Sequence, residues 1–205
     1  MGKSTSFRNM NPKDTLLIKT INKPLPFPEK KQGWKAVDPE TGEGNVFQTD
    51  HADTIIAVMK KAPSKGFKNI IVDDGTYVMV DEFMRRVTER GYDKFSEMAF
   101  NVWNIIKQAE KLPEDVIVFL IWHIEESPTG SIKLRTVGKL TDEKVDIPAM
   151  CTVVLLADRV DGQYIFRTQN TGMDIAKSPI GLFEEEAIPN DMKEVESKIR
   201  KYYGE

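Results

Sequence analysis

Three runs along the chain are apolar without alternation: Thr15 to Thr20 (TLLIKT), Asn69 to Asp73 (NIIVD) and Val116 to His123 (VIVFLIWH). Strands that are apolar on both faces are those buried on both faces, as in the centre of a parallel sheet. Helical patterns lie between them. Asp50 or Asp53 caps a helix running to about Lys61, with Ile55, Ile56, Val58 and Met59 on its apolar side and Lys65-Gly66 as its break. After Asp73 the pattern predicts two helices, Tyr77 to Arg90 and Lys94 to Lys111. In the second, Phe95, Met98, Ala99, Val102, Ile105, Ile106 and Ala109 recur at helical spacing, and Pro113 stops it.

Past His123 the period changes. Ile132 to Val137 alternates, as an edge or hairpin strand does. Ala149 to Ala157 (AMCTVVLLA) reads as a third buried strand, paired with Gln163 to Thr168 across an Asp161-Gly162 turn. Asp191 to Tyr203 is a charged terminal helix. Near the start, Lys3 to Asn9 begins a helix that ends before Asn11-Pro12. Asn22 to Gly44, with Pro24, Pro26, Pro28 and Pro39, is an irregular excursion, followed by a short strand at Val46 to Thr49. Helices between buried strands, then a run of strands, predict an α/β fold. Its sheet is mostly parallel, with helices on both faces and an antiparallel hairpin extension, in one domain over residues 1–205.

Composition narrows the function classes. A net charge of −3 over 205 residues argues against a wholly basic nucleic-acid coat but leaves room for a local basic face. The longest apolar stretch, Val116 to Trp122, is too short to span a membrane, and the polar start shows no signal peptide. The single cysteine, Cys151, lies in an apolar run and reads as a core thiol. These features fit a reducing cytoplasm.

Two motifs carry chemistry. Gly2-Lys3-Ser4-Thr5 is the closing half of a phosphate-binding loop, G-x-x-x-x-G-K-[ST]. Such a loop needs backbone N–H groups at a helix N-terminus, a lysine for the β- and γ-oxygens and a hydroxyl for Mg²⁺. Gly2, Lys3, Ser4 and Thr5 are the candidate ATP-binding residues. The second motif, Ile70-Ile71-Val72-Asp73-Asp74, is an apolar strand ending in two carboxylates, where open α/β sheets bind ligands. Ser4 and Asp73 are the candidate Mg²⁺ ligands, and Asp74 is a candidate to orient or deprotonate water. The competing reading is that Asp73 to Thr76 caps the next helix. Met1-Gly2-Lys3-Ser4-Thr5-Ser6 also fits a myristoylation pattern, which the remote carboxylate pair does nothing to support.

His123 closes the strand expected beside Asp73-Asp74 and is either a γ-phosphate sensor or water-positioning residue, or a packing or surface histidine. His51, near a helix start, reads as structural. Lys133, Arg135, Lys139 and Lys144, around Gly130 and Gly138, are either a solvated edge or a loop pair that tracks single-stranded DNA. Lys177, in Ala176-Lys177-Ser178-Pro179, is a surface charge or a cationic finger reaching a neighbouring subunit's triphosphate.

Taken in order, several segments resemble one family. They are Gly2 to Ser6, Asn11-Pro12, Lys23-Pro24-Leu25-Pro26-Phe27, the IIVDD strand, the strand ending at His123, Gly138-Lys139-Leu140, and Ala176 to Phe183. The chain resembles the phage-encoded RecA-like P-loop ATPases that act as single-strand annealing proteins. The phosphate loop and IIVDD specify only the superfamily; the Lys-Pro-Leu-Pro-Phe and Ala-Lys-Ser-Pro segments are more particular. The resemblance implies a RecA-like core, Mg-ATP binding, single-stranded DNA binding and annealing during phage recombination in the bacterial cytoplasm. It also implies a homo-oligomer and a single-strand DNA-binding protein as partner. Family members carry a strand and a glycine-rich half-loop ahead of GKST, whereas here only Met1 precedes Gly2. The expectation is therefore a piece of a longer frame, or a degenerate copy with weak turnover that serves as a DNA-binding or assembly module. An ATPase acting on proteins is the third reading.

Overall fold

The computed structural model describes residues 2–204, the side chains of residues 142 and 143 excepted. Four parallel strands form the main sheet: β1 (Thr15–Lys19), β2 (Val46–Gln48), β3 (Asn69–Asp73) and β4 (Ile117–Leu120), in the order β2-β1-β3-β4. β1 and β3 are buried along their whole length, as their unbroken apolar runs require. Register pairs Leu17 with Ile71 and Lys19 with Asp73.

Alternation along the strands divides the core. Leu16, Ile18, Ile70 and Val72 face α1 (Ala52–Lys61), α2 (Thr76–Arg85) and α3 (Asp93–Ala109), packing on Ile55, Met59, Met79, Met98 and Val102. Leu17 and Ile71 face the other way, onto Phe7, Met10, Leu25 and Trp34. That second face is covered mainly by the N-terminal segment and the proline-rich excursion rather than by long helices. Phe7 meets Phe27 and Trp34 edge-on, at ring centroids of 5.4 and 6.0 Å.

The antiparallel part is larger than expected. β5 (Ile124–Glu126) and β6 (Ile132–Leu134) form a hairpin, followed by the short helices α4 (Lys139–Lys144) and α5 (Ile147–Met150). β7 (Leu156–Val160), β8 (Gln163–Arg167) and β9 (Ala187–Pro189) form a separate sheet, and α6 (Met192–Tyr203) is the terminal helix. The β7–β8 turn falls at Asp161-Gly162, where both residues have positive φ.

Four boundaries differ from the sequence expectation. The helix expected over Lys3 to Asn9 is a single 3-10 turn, Ser4–Phe7, with the Ser6 hydroxyl donating back to the Lys3 carbonyl; hydroxyl residues compete in this way for helical backbone groups. α2 stops at Arg85 because the buried Lys94 ammonium takes up the carbonyls of Arg86 and Glu89, at 3.1 and 2.7 Å. Ala149 and Met150 belong to α5, capped by the Asp146 carboxylate, so regular pairing starts only at Leu156. Finally, the strand ending at His123, expected to be central, lies at the edge of the sheet among the described residues, where β4 pairs with β3 alone. Among the described residues no helix is long and apolar enough to cross a membrane.

Candidate functional site

The C-terminal ends of β1, β3 and β4 bring the two sequence motifs together. The Ser4 hydroxyl donates to Asp73 Oδ1 at 2.9 Å, across 69 residues of chain. Asp73 is the last residue of β3 and is 2% exposed. Burial, and then the neighbouring Asp74 charge, push its carboxyl from the usual 3.8 up to about 6, against the opposing pull of the Ser4 hydrogen bond and Lys23.

Asp74 leaves the strand in the left-handed region, at φ 59°. Aspartate tolerates that conformation better than most side chains. The turn is pinned on both sides. Thr20 Oγ1 lies within donating distance of the carbonyls of Asp73 and Asp74, at 3.1 and 2.8 Å, and Gly75 N–H donates to the Ile121 carbonyl at 2.8 Å. Gly75 is required by contact: a Cβ there would sit 2.7 Å from the Trp122 ring.

The turn breaks strand alternation, so the two carboxylates meet different partners. Asp74 forms an ion pair with Lys23, and His123 Nε2 lies 3.0 Å from its Oδ1. Burial raises the Asp74 carboxyl, but Lys23 and His123 outweigh it and hold the group below the usual carboxylate range. Burial likewise lowers Lys23, but Asp74 outweighs it and leaves that ammonium above the usual lysine range. An ionised carboxylate only accepts, so the His123 ring nitrogen facing it is the protonated one. His123 is held further by its own N–H on Thr76 Oγ1 at 2.9 Å and by edge-on contact with Tyr77.

The sequence candidates thus divide. Ser4, Asp73, Asp74 and His123 converge, and Lys3 lies beside them at one end of the cleft along β4. Gly2 has φ 90°, and its carbonyl accepts from Ser6 N–H at 3.1 Å. Thr5 contributes its carbonyl to the Arg8 side chain at 3.1 Å. Lys177 is not held by this cluster: its backbone pairs with Val154, and its ammonium lies 3.4 Å from the Ala149 carbonyl. His51 precedes α1 without capping it, and Asp50 forms an ion pair with Arg85. Lys133, Arg135, Lys139 and Lys144 lie on β6, the segment after it and α4, and Lys133 pairs with Glu125 across the hairpin at 3.2 Å.

Lys23, Thr20 and Thr76 belong to the site but were not among the candidate site residues. Lys23 opens the Lys-Pro-Leu-Pro-Phe segment on which the resemblance rests, and Thr76 closes the segment read as a helix cap, yet neither reading pointed to contact with Asp74 or His123. The position of Lys23 is set by Lys19, whose ammonium donates to the Lys23 carbonyl.

The donor set fits Mg²⁺. A buried carboxylate and a hydroxyl are hard oxygen ligands, and Mg²⁺ commonly takes one or two protein oxygens, with phosphate and water completing its shell. The raised Asp73 carboxyl is a buried group whose ionised form lacks a counter-charge of its own, since Lys23 is engaged by Asp74. The sequence matches no protein-family model and no curated protein.

Proposed function

We propose that this chain is the nucleotide-binding body of a RecA-like P-loop ATPase that binds single-stranded DNA and promotes annealing in phage recombination. The observation that carries the reading is the Ser4–Asp73 hydrogen bond at the C-terminal end of β3. It joins a GKST segment to a carboxylate-tipped parallel strand, which is the arrangement Mg-ATP binding needs.

In this reading Lys3 neutralises the β- and γ-oxygens, and Ser4 and Asp73 hold Mg²⁺. Bound Mg²⁺ supplies charge neutralisation at the phosphates. Lys23 and His123 keep Asp74 ionised. Asp74 fixes the protonated nitrogen of His123, so the other ring nitrogen is free to orient water or a phosphate oxygen. Lys177, whose partners Val154 and Ala149 lie outside the cluster, acts on a neighbouring subunit in a homo-oligomer. Single-stranded DNA runs along Lys133, Arg135, Lys139 and Lys144, with a single-strand DNA-binding protein as a further partner. Titration calorimetry with Mg-ATP tests the core of this reading. Micromolar binding lost in Lys3→Ala and Ser4→Ala is the expected result; no binding in the parent chain sinks it.

One observation favours a second reading, a DNA-binding or assembly module without efficient turnover. Ser4–Phe7 is one 3-10 turn and not a helix, so fewer backbone donors converge on a phosphate. Losing two hydrogen bonds to charge, at roughly 1.5–3 kcal/mol each, weakens binding by about two to four orders of magnitude. This reading predicts salt-sensitive binding to single strands that is indifferent to ATP. The first reading predicts ATP turnover stimulated by the same strands.

A further inference from the structure

The outer side of α3 carries two large rings that the fold does not use. Met98, Val102, Ile105 and Ile106 fill the core, whereas Phe100 and Trp103 are 59% and 38% exposed and join none of the core clusters among the described residues. Three residues apart on a helix, they meet on one face. Their rings are nearly parallel, with planes 17° from each other and centroids 5.9 Å apart, an offset stack. Among the described residues this is the one parallel stack of exposed rings. Phe83 and Phe95 stack in half-buried positions, and Tyr202 meets Tyr203 edge-on.

The surroundings favour a flat occupant over an aliphatic one. A helix face that docks protein presents apolar anchors at i, i+3, i+4 and i+7. Here the other α3 residues on the outer side, Ser96, Asn104 and Lys107, are polar. Lys107 Nζ lies over the Trp103 ring, 5.8 Å from its centroid, so Phe100 is the more open end of the stack. Lys107 is also ion-paired with Glu110, which offsets its charge and leaves the ring faces as the main contact. A row of residues four apart, Phe95, Ala99 and Trp103, runs along this flank of α3. At its start Phe95 packs on Gly138, where a Cβ would lie 2.9 Å from the ring. Gly138 opens α4, which packs against α3 and carries Lys139 and Lys144. The row is about 12 Å long, so rings and lysines fall within one short single-strand site.

We propose that the Phe100–Trp103 stack is a base-stacking platform for single-stranded nucleic acid, extending the path of the basic residues from α4 onto α3. Every base has a π face, so the rings take bases without regard to sequence, while Lys139 and Lys144 take phosphates. The inference deepens the single-strand reading given above and rests on it. It supplies the share of the affinity that salt does not screen.

The test measures binding of a labelled oligothymidylate by fluorescence anisotropy, against an abasic strand of equal length and charge. Phe100→Ala and Trp103→Ala are each expected to weaken thymidylate binding about tenfold, with abasic binding and the salt slope unchanged. Phe100→Tyr should restore what Phe100→Ala loses, and Phe100→Leu should not, because leucine keeps apolar bulk without a π face. Lys139→Gln and Lys144→Gln should instead weaken both strands alike and reduce the salt slope by about one each. The rings are exposed, so the variants should keep the parent's urea midpoint. Full thymidylate affinity in both alanine variants, with the lysine variants weakened, overturns the platform and leaves the single-strand reading standing. Parent-like binding by Phe100→Leu overturns it too, as does a loss shared equally by both strands. Self-association of the parent chain that Phe100→Ala abolishes also overturns it, because a second copy would then cover this face. No strand binding by the parent chain overturns the platform and the single-strand reading together.

Discussion

Asp73 is the residue whose chemistry differs most between folded and unfolded chain. Its carboxyl rises from 3.8 to about 6 on folding, so between those values the folded state binds more protons. Stability attributable to this group is therefore greatest below about pH 4 and is lost as pH rises through 6. The shift corresponds to about 3 kcal/mol at most. Asp73→Asn should stabilise the nucleotide-free protein by up to about that amount at pH 7.5 and very little at pH 4. Urea unfolding of both proteins at the two pH values checks this, and equal differences at both would refute it. The sign is opposite at Asp74, whose depressed carboxyl stabilises at neutral pH and loses that contribution as pH falls through its folded value. The same reasoning predicts a ligand effect. Bound Mg²⁺ supplies the missing counter-charge, so Mg-ATP should raise the melting temperature more at pH 7.5 than at pH 5, and Asp73→Asn should remove the difference. Asp73, Asp74 and His123 were legible as residues, because carboxylates and histidine at strand ends stand out against apolar runs. Lys23 was visible only as the start of the Lys-Pro-Leu-Pro-Phe segment and not as the partner of Asp74, because that pairing depends on where a buried neighbour's ammonium holds it.

At the level of elements, β3 anchors the molecule. Ile71 is fully buried, in the layer that faces Phe7 and Trp34. Ile71→Ala should cost about 2–5 kcal/mol in urea unfolding. The turn after β3 is equally constrained. Gly75→Ala would drive a methyl into the Trp122 ring, 2.7 Å away, and should destabilise by about 1–3 kcal/mol. A neutral result would show that Trp122 can swing aside despite its hydrogen bond to the Arg135 carbonyl at 2.8 Å. β1 and β3 were legible as unbroken apolar runs, and α1 and α3 because each repeats the helical period over its own length. The N-terminal helix was not, since Ser4, Thr5 and Ser6 favour local hydroxyl bonds. Nor was the break before Leu156, where an Asp146 cap and Pro148 convert the start of an apolar run into a helical turn.

Across the whole molecule, protection should follow the sheet. β3 is bonded on both sides and buried on both faces, whereas β4, among the described residues, is bonded on one side only. Native-state exchange should be slowest at Ile70 to Val72, and Val118 and Leu120 should exchange far faster than Ile117 and Phe119 on the same strand. Uniform protection along β4 would contradict the edge position. By itself the sequence determined an α/β fold with parallel strands, the strands and helices of its core, and the chemical types at the strand ends. These follow from periods and residue chemistry that are local. Only the tertiary structure decided that Ser4 reaches Asp73, that Lys23 and His123 share Asp74, and that the apolar strand β4 stands last in the order of the described sheet. Each of these joins segments far apart in the chain, and their meeting depends on strand order and on which neighbour each peptide group finds.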